Sequence, residues 1–225
     1  MKYLNINNKL IFAALVSLFI LLSNNIFSST HENNRLKVGF TSAIDNFDPH
    51  WNQLMAYQNL IAQNVFDHLT IIDTEMKVKP GLAKKWEISS DEKQYIFFLR
   101  EKAKFHNGRN VTADDVVYSF KRTIDQKTTF ASKMDPIANI EAIGKYQVKM
   151  VLKKPVAPWL EEVSLIAIVP IESESKLKNA PIGSGPFKFK EWKANDKIVL
   201  IKNHIVSQIR IKSVEMVVLF CKKKK

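Results

Sequence analysis

Cysteine is nearly absent. Cys221 is the only one in 225 residues, which excludes an intrachain disulfide and a cysteine-built structural zinc site. Glycine and proline are sparse, at 6 and 8, so collagen-like and low-complexity classes are out. No unit of about 20–50 residues repeats, which argues against solenoids and propellers. There is no concentrated basic patch either. The formal charge is +12, but Lys2, Lys9 and Lys222–Lys225 carry half of it, and the remaining lysines are interleaved with Asp and Glu. Nucleic acid is therefore not an expected partner. The five histidines (His31, His50, His68, His106, His204) show no HxxxH or HExxH spacing, and no GxSxG elbow or Walker A motif is present. Gly183 and Gly185 are too few and too late for a dinucleotide fingerprint.

What is present is ordinary for a folded chain: 46% apolar and 25% charged residues. The first residues read as an address. Lys2 and Lys9 precede the apolar run Leu10–Leu22, whose 13 residues fall short of the ~20 that a membrane helix needs but suit the core of a signal peptide. Cleavage after Ser28 puts serine at −1 and the larger Ile26 at −3. An uncleaved membrane anchor is the alternative. No cysteine follows the run, so a lipid anchor at that point is excluded. The expectation is a signal peptide over 1–28 and a free periplasmic protein.

Beyond it, strands and helices mix, which predicts an α/β or α+β fold. Leu36–Phe40 alternates like a strand. Asp48-Pro49 marks a loop over 45–52, and Tyr57–Leu69 has helical spacing at Leu60, Ile61, Val65 and Leu69. Ile71-Ile72 begins a short strand that Pro80-Gly81 closes off. Trp86–Ser89 and Tyr95–Arg100 read as antiparallel strands, the second apolar on both faces and hence central. Thr112–Ile124 is the clearest helix. Thr112 and Asp115 can form a capping box, and Val116, Phe120 and Ile124 form the buried stripe. Strands follow at 137–143 and 147–153, a short helix at 159–165 and an apolar strand at 166–169. The turn Gly183-Ser-Gly-Pro186 precedes further strands at 187–192, 198–201 and 214–219. His50 beside Asp48 and His106 beside Asn107 can be drawn as acid–base pairs, which leaves an exported hydrolase as an alternative, though turn chemistry explains these residues better.

Four segments in order resemble one family: Leu82-Ala-Lys-Lys-Trp86-Glu, Tyr95-Ile-Phe-Phe-Leu-Arg100 through Phe105-His-Asn-Gly108, Val111-Thr-Ala-Asp-Asp115-Val-Val-Tyr-Ser119, and Pro181-Ile-Gly-Ser-Gly-Pro186-Phe-Lys-Phe. Together with Asp48-Pro49-His50, they resemble the extracellular solute-binding proteins of the peptide, oligopeptide and nickel type, which serve ABC importers. The resemblance runs from about Leu36 to about Leu219.

The resemblance implies a periplasmic-binding-protein-like class II fold, a two-lobed clamp that closes on its ligand. It places 29–66 with 171–220 in a discontinuous sheet subdomain of the first lobe and 67–170 in an inserted subdomain. Residues 221–225 form a lysine-rich tail, and the second lobe is absent. By likeness, Gln53, Leu54, Met55, Ala56 and Tyr57 run beside the ligand and bond it through their backbone, and Phe130 faces it. The implied function is capture of a small peptide for an inner-membrane ABC permease by a monomer, without catalysis and without a cofactor. A truncated, inactive remnant of such a protein is the alternative, and nickel chelates or haem are other ligands of this fold. The signature residues Trp86, Phe97, Leu99, Phe105, Val116 and Phe120 are expected to be core.

Overall fold

The computed structural model describes residues 35–40, 44–51, 57, 61–204 and 215–220. The predicted leader, four of the predicted ligand contacts (53–56) and the lysine tail lie outside them. Two four-stranded sheets organise these residues. The first joins β1 (Arg35–Phe40), β10 (Glu215–Phe220), β9 (Lys197–Lys202) and β8 (Phe187–Lys193) in that order. Here β1 runs parallel to β10, Arg35 opposite Glu215, and the other pairs are antiparallel. The second is antiparallel, in the order β4 (Ala83–Ile88), β5 (Gln94–Leu99), β7 (Gln147–Leu152) and β6 (Ile137–Gly144). A hairpin of β2 (Thr70–Ile72) and β3 (Val78–Pro80) stands beside it. Pro80 takes the last place of β3, where an edge strand tolerates a missing N–H.

Each sheet has its own core. Tyr95, Phe97 and Leu99 of β5 pack with Phe105, Val116, Phe120, Val148 and Met150. Phe47, Tyr57, Ile61, Val65 and Phe66 pack with Phe187, Ile198, Leu200, Met216 and Val218. The expected core residues are there, except that Trp86 is half-buried against the first core rather than inside it. β5 is central, as its two apolar faces predict, with Ile96 and Phe98 half-buried on the outer one.

Helix α2 (Ala113–Asp125) forms as its sequence predicts. The Thr112 N–H donates to Asp115 Oδ2 at 2.9 Å, completing the capping box. The predicted buried stripe is off by one at its end. Residues four apart advance about 40° per step around a 3.6-residue helix, so Ile124 has rotated to a half-buried position while Thr123 is fully buried.

Two predicted elements differ. The helix expected over 57–69 stops early: its described helical turn, α1 (Gln63–Val65), ends at Phe66, which is extended at φ −115°, ψ 149°. The next turn is blocked because the Val65 carbonyl accepts the Gly185 N–H instead, at 3.0 Å. Leu69 then packs in the first core, whereas Ile61 and Val65 pack in the second, so their helical spacing was coincidental. The strand expected at 166–169 joins no sheet and makes one bridge, Ala167 with His68. Its alternation is nonetheless meaningful: Ile166 and Ile168 enter the first core, Ala167 and Val169 the second. The short helices α3 (Ala131–Met134) and α4 (Trp159–Val163) complete the first core. Among the described residues, no helix is long and apolar enough to cross a membrane.

Candidate functional site

The junction between the cores is held by α2, which carries a second, polar stripe at helical spacing: Asp115, Ser119, Arg122 and Gln126. Asp115 is fully buried. It accepts from Thr112, from the Ile171 N–H at 3.2 Å, and from both Nη atoms of Arg109 at 3.0 and 2.6 Å. Ser119 Oγ accepts from the Val169 N–H at 3.0 Å. Gln126 donates to Glu174 at 3.1 Å. The helix thus grips residues 169–174 along its length.

Arg122 is the hub. Its side chain is 3% exposed and forks onto Asp48, Nη1 to Oδ1 at 3.1 Å and Nη2 to Oδ2 at 2.6 Å. Its Nε donates to Glu174 at 2.7 Å and its Nη1 to His50 Nδ1 at 2.8 Å. An arginine only donates, so His50 Nδ1 is the acceptor. The Nε2–H of His50 then donates to the Ala167 carbonyl at 2.8 Å. Burial keeps this ring neutral, with a pKa lowered to about 4. Glu174 is held down at about 2, first by its hydrogen bond to Arg122. Asp48 also accepts the His50 N–H at 3.1 Å, the local bond that makes Asp-Pro-His a turn.

That turn positions a ledge. Trp51, next in the chain, is 44% exposed. Its carbonyl accepts from Thr129 Oγ1 at 3.1 Å, and the His50 carbonyl accepts from the Thr129 N–H at 3.2 Å. Phe130 follows, half-buried against the first core. The stretch that leads into residues 53–57 and the corner that carries Phe130 are thereby brought side by side. Tyr57 itself is fully buried, and its hydroxyl donates to the Phe47 carbonyl at 2.6 Å. Its ring belongs to the core, which leaves its backbone, the group the resemblance invoked.

The Gly-Ser-Gly-Pro turn pins the junction from the other side. A Cβ on Gly183 would sit 1.9 Å from the Val65 carbonyl oxygen, and one on Gly185 would sit 2.6 Å from that of Asn64. Only glycine permits that approach. His106 closes on the same turn. Its Nδ1 accepts the Gly183 N–H at 3.2 Å, and its Nε2 donates to the Gly185 carbonyl at 3.0 Å. Both ring nitrogens of His50 and of His106 are thus engaged in structural bonds, and burial lowers the His106 pKa to about 4 as well.

Beside this turn lies a cavity of about 780 Å³. Phe66, Ile72, Leu82 and Phe187 line it together with Asp67, Arg100, Lys102 and Lys104. Among the described residues, no group of three His, Cys, Asp or Glu side chains could hold a metal ion.

Sequence reasoning missed Arg109, Arg122 and Glu174. Of these only Arg122 lies on the polar stripe at i, i+4, i+7 and i+11, and polar residues at that spacing read as an ordinary solvent-facing helix surface.

Residues 77–218 match "Bacterial extracellular solute-binding proteins, family 5 Middle", and the chain belongs to this family. The dipeptide-binding protein DppE of Bacillus subtilis is 30% identical over 166 residues, 62% of this chain and 30% of DppE. The periplasmic oligopeptide-binding protein OppA of Salmonella typhimurium is 30% identical over 189 residues, 72% of this chain and 34% of OppA. Among solved structures, NikZ from Campylobacter jejuni in complex with Ni(L-His) aligns with a TM-score of 0.77 at 26% identity, over 84% of this chain and 39% of NikZ. The chain spans about a third of the length of the curated relatives it matches.

Proposed function

We propose that this chain is the substrate-binding component of an ABC importer for small peptides, acting as a monomer in the periplasm and handing its ligand to a membrane permease. Its two sheets are the sheet subdomain (29–66 with 171–220) and the inserted subdomain (67–170) of one wall of the clamp. Residues 53–57 offer backbone groups to an extended peptide, as an added strand would, and Phe130 offers an aromatic face. The observation that carries this reading is the pair of bonds from Thr129 to His50 and Trp51. These bonds fix the two segments as one surface with an exposed tryptophan at its side. The role is binding, not catalysis: the histidines that an acid–base reading would use have both nitrogens committed. Two of the relatives are named for binding dipeptides and oligopeptides, which supports peptides as the ligand class.

The test is a titration of the isotope-labelled chain with di- to pentapeptides, and separately with nickel–histidine, followed by backbone amide shifts. Peptides should move Trp51, Thr129 and Phe130, and Phe130→Leu should weaken that response severalfold. Peptide shifts absent from these residues, or a stronger response there to nickel–histidine, would overturn the peptide assignment.

A further inference from the structure

We propose that the cavity beside the Gly-Ser-Gly-Pro turn is a second ligand site, separate from the peptide ledge, for a small amphiphilic anion such as an aliphatic carboxylate of medium chain length. Its volume of about 780 Å³ falls within the range of about 300–1,000 Å³ typical of small-molecule sites. None of its lining residues belongs to the ledge.

The lining has two characters. Phe66 and Phe187 from the second core and Leu82 from the first supply an apolar floor. Ile71 and Ile72 of the hairpin extend it, and Ile71 is 45% exposed. Such a surface favours an aliphatic chain, since burying each methylene contributes about 0.8 kcal/mol.

The charged groups favour an anion. Arg100, Lys102 and Lys104 line the cavity, against a single acid, Asp67. His68 adds no charge at neutral pH, because burial lowers its pKa to about 4. Arg100 is half-buried and gives its Nε–H to the Gly81 carbonyl at 2.8 Å. Among the described residues its Nη groups make no hydrogen bond and neither lysine makes an ion pair. A guanidinium whose Nη groups make no hydrogen bond among the described residues, and whose charge also acts on Asp67, suits a carboxylate head together with two nearby ammonium groups. Asp67 is the one acid on the lining; burial pushes its pKa up, while Ser184 and the Arg100 charge pull it the other way. The two lysines are exposed, whereas Phe66, Leu82 and Phe187 are buried, an order that matches a charged head at the entrance and an aliphatic tail within.

Calorimetry and amide shifts with sodium decanoate, decylamine and acetate as probes test this at low salt, where screening is weakest. Decanoate should move Leu82, Ala103 and Phe187 and bind about tenfold or more tightly than decylamine, a difference of about 1.4 kcal/mol or more. Acetate, lacking a tail, should not bind measurably. Lys102→Glu with Lys104→Glu, both at exposed positions, should weaken decanoate about tenfold while leaving the peptide response at Trp51 and Thr129 unchanged. Equal affinity for decanoate and decylamine overturns the proposal, as do decanoate shifts confined to other residues or unchanged decanoate binding by the double variant. Each of these outcomes leaves the peptide reading standing, because that reading is scored at different residues with a different probe.

Discussion

Replacing Arg122 by methionine keeps an unbranched, flexible stem and removes every polar contact the guanidinium makes. The wild-type guanidinium is 3% exposed and neutralises Asp48, which is 1% exposed, through two parallel bonds. Removing one partner of such a buried pair costs about 3–5 kcal/mol, because the other is left as an uncompensated charge away from water. Glu174 contributes little to that figure, since its side chain is 48% exposed and water replaces the arginine there. For a domain of this size each kcal/mol moves the melting temperature by about 2–4 °C, so Arg122→Met should melt roughly 6–20 °C lower. Lysine should fall between the two, because a point charge cannot fork onto both oxygens of Asp48. Urea denaturation by circular dichroism measures the loss. Asp48→Asn combined with Arg122→Met should recover part of it, because the stranded charge is then gone. A loss below about 1 kcal/mol for the single variant, or strict additivity in the double, would refute the reasoning that this pair is the buried anchor of the junction.

The remaining predictions concern titration, the glycine turn and the helix cap. Burial holds His50, His68 and His106 at about 4. The unfolded chain binds these protons below its ordinary 6.5 and the folded chain does not until about 4. Stability should therefore fall as pH drops across that window, by up to about 1.4 kcal/mol per pH unit for each ring. Glu174, depressed to about 2, stabilises above its ordinary 4.5, and that contribution disappears as pH drops toward 2. Urea midpoints that stay flat from neutral pH down to about 4 would contradict the histidine statement, and midpoints flat from there down to about 2 would contradict the one about Glu174. Gly183→Ala places a methyl 1.9 Å from the Val65 carbonyl oxygen; it should cost several kcal/mol or abolish soluble expression, and a wild-type melting curve would contradict the packing. Thr112→Ala should cost about 1 kcal/mol. Asp115→Asn should cost more, about 2 kcal/mol, because it also weakens the bonds from Ile171 and Arg109. Chemical denaturation ranks the two, and a larger loss at Thr112 would reverse the argument.

Local chemistry was legible in the sequence; what depended on distant partners was not. The capping box of Thr112 and Asp115 and the central place of β5 could both be read, because each is fixed by residues close in the chain. The parallel pairing of β1 with β10 could not, since nothing in Leu36–Phe40 names a partner about 180 residues away. Helical spacing over 57–69 misled because Leu69 serves one core and Val65 the other. The candidate ledge was half legible. Resemblance pointed to Tyr57 and Phe130, but the link through Thr129 is made to backbone carbonyls, which leave no mark on residue type.

The polar stripe of α2 explains why the strongest sequence signature reports fold while the proposed ledge is weakly marked. One face of the helix, Val116 and Phe120, must match an apolar core, and the face with Asp115, Ser119 and Arg122 must match a fixed set of buried acceptors and donors. Each of those positions has little freedom, because a buried polar group without its partner is costly. The ledge is constrained differently. Trp51 and Thr129 are joined through main-chain groups, on a turn whose Asp48 is paired with Arg122. A side chain at the ledge is therefore held to fewer requirements than one in the frame beneath it. On this account, the junction is the stiff part and its stiffness is a consequence of one helix. Loosening Arg122 should therefore speed amide exchange at Thr129 before it disturbs the second sheet.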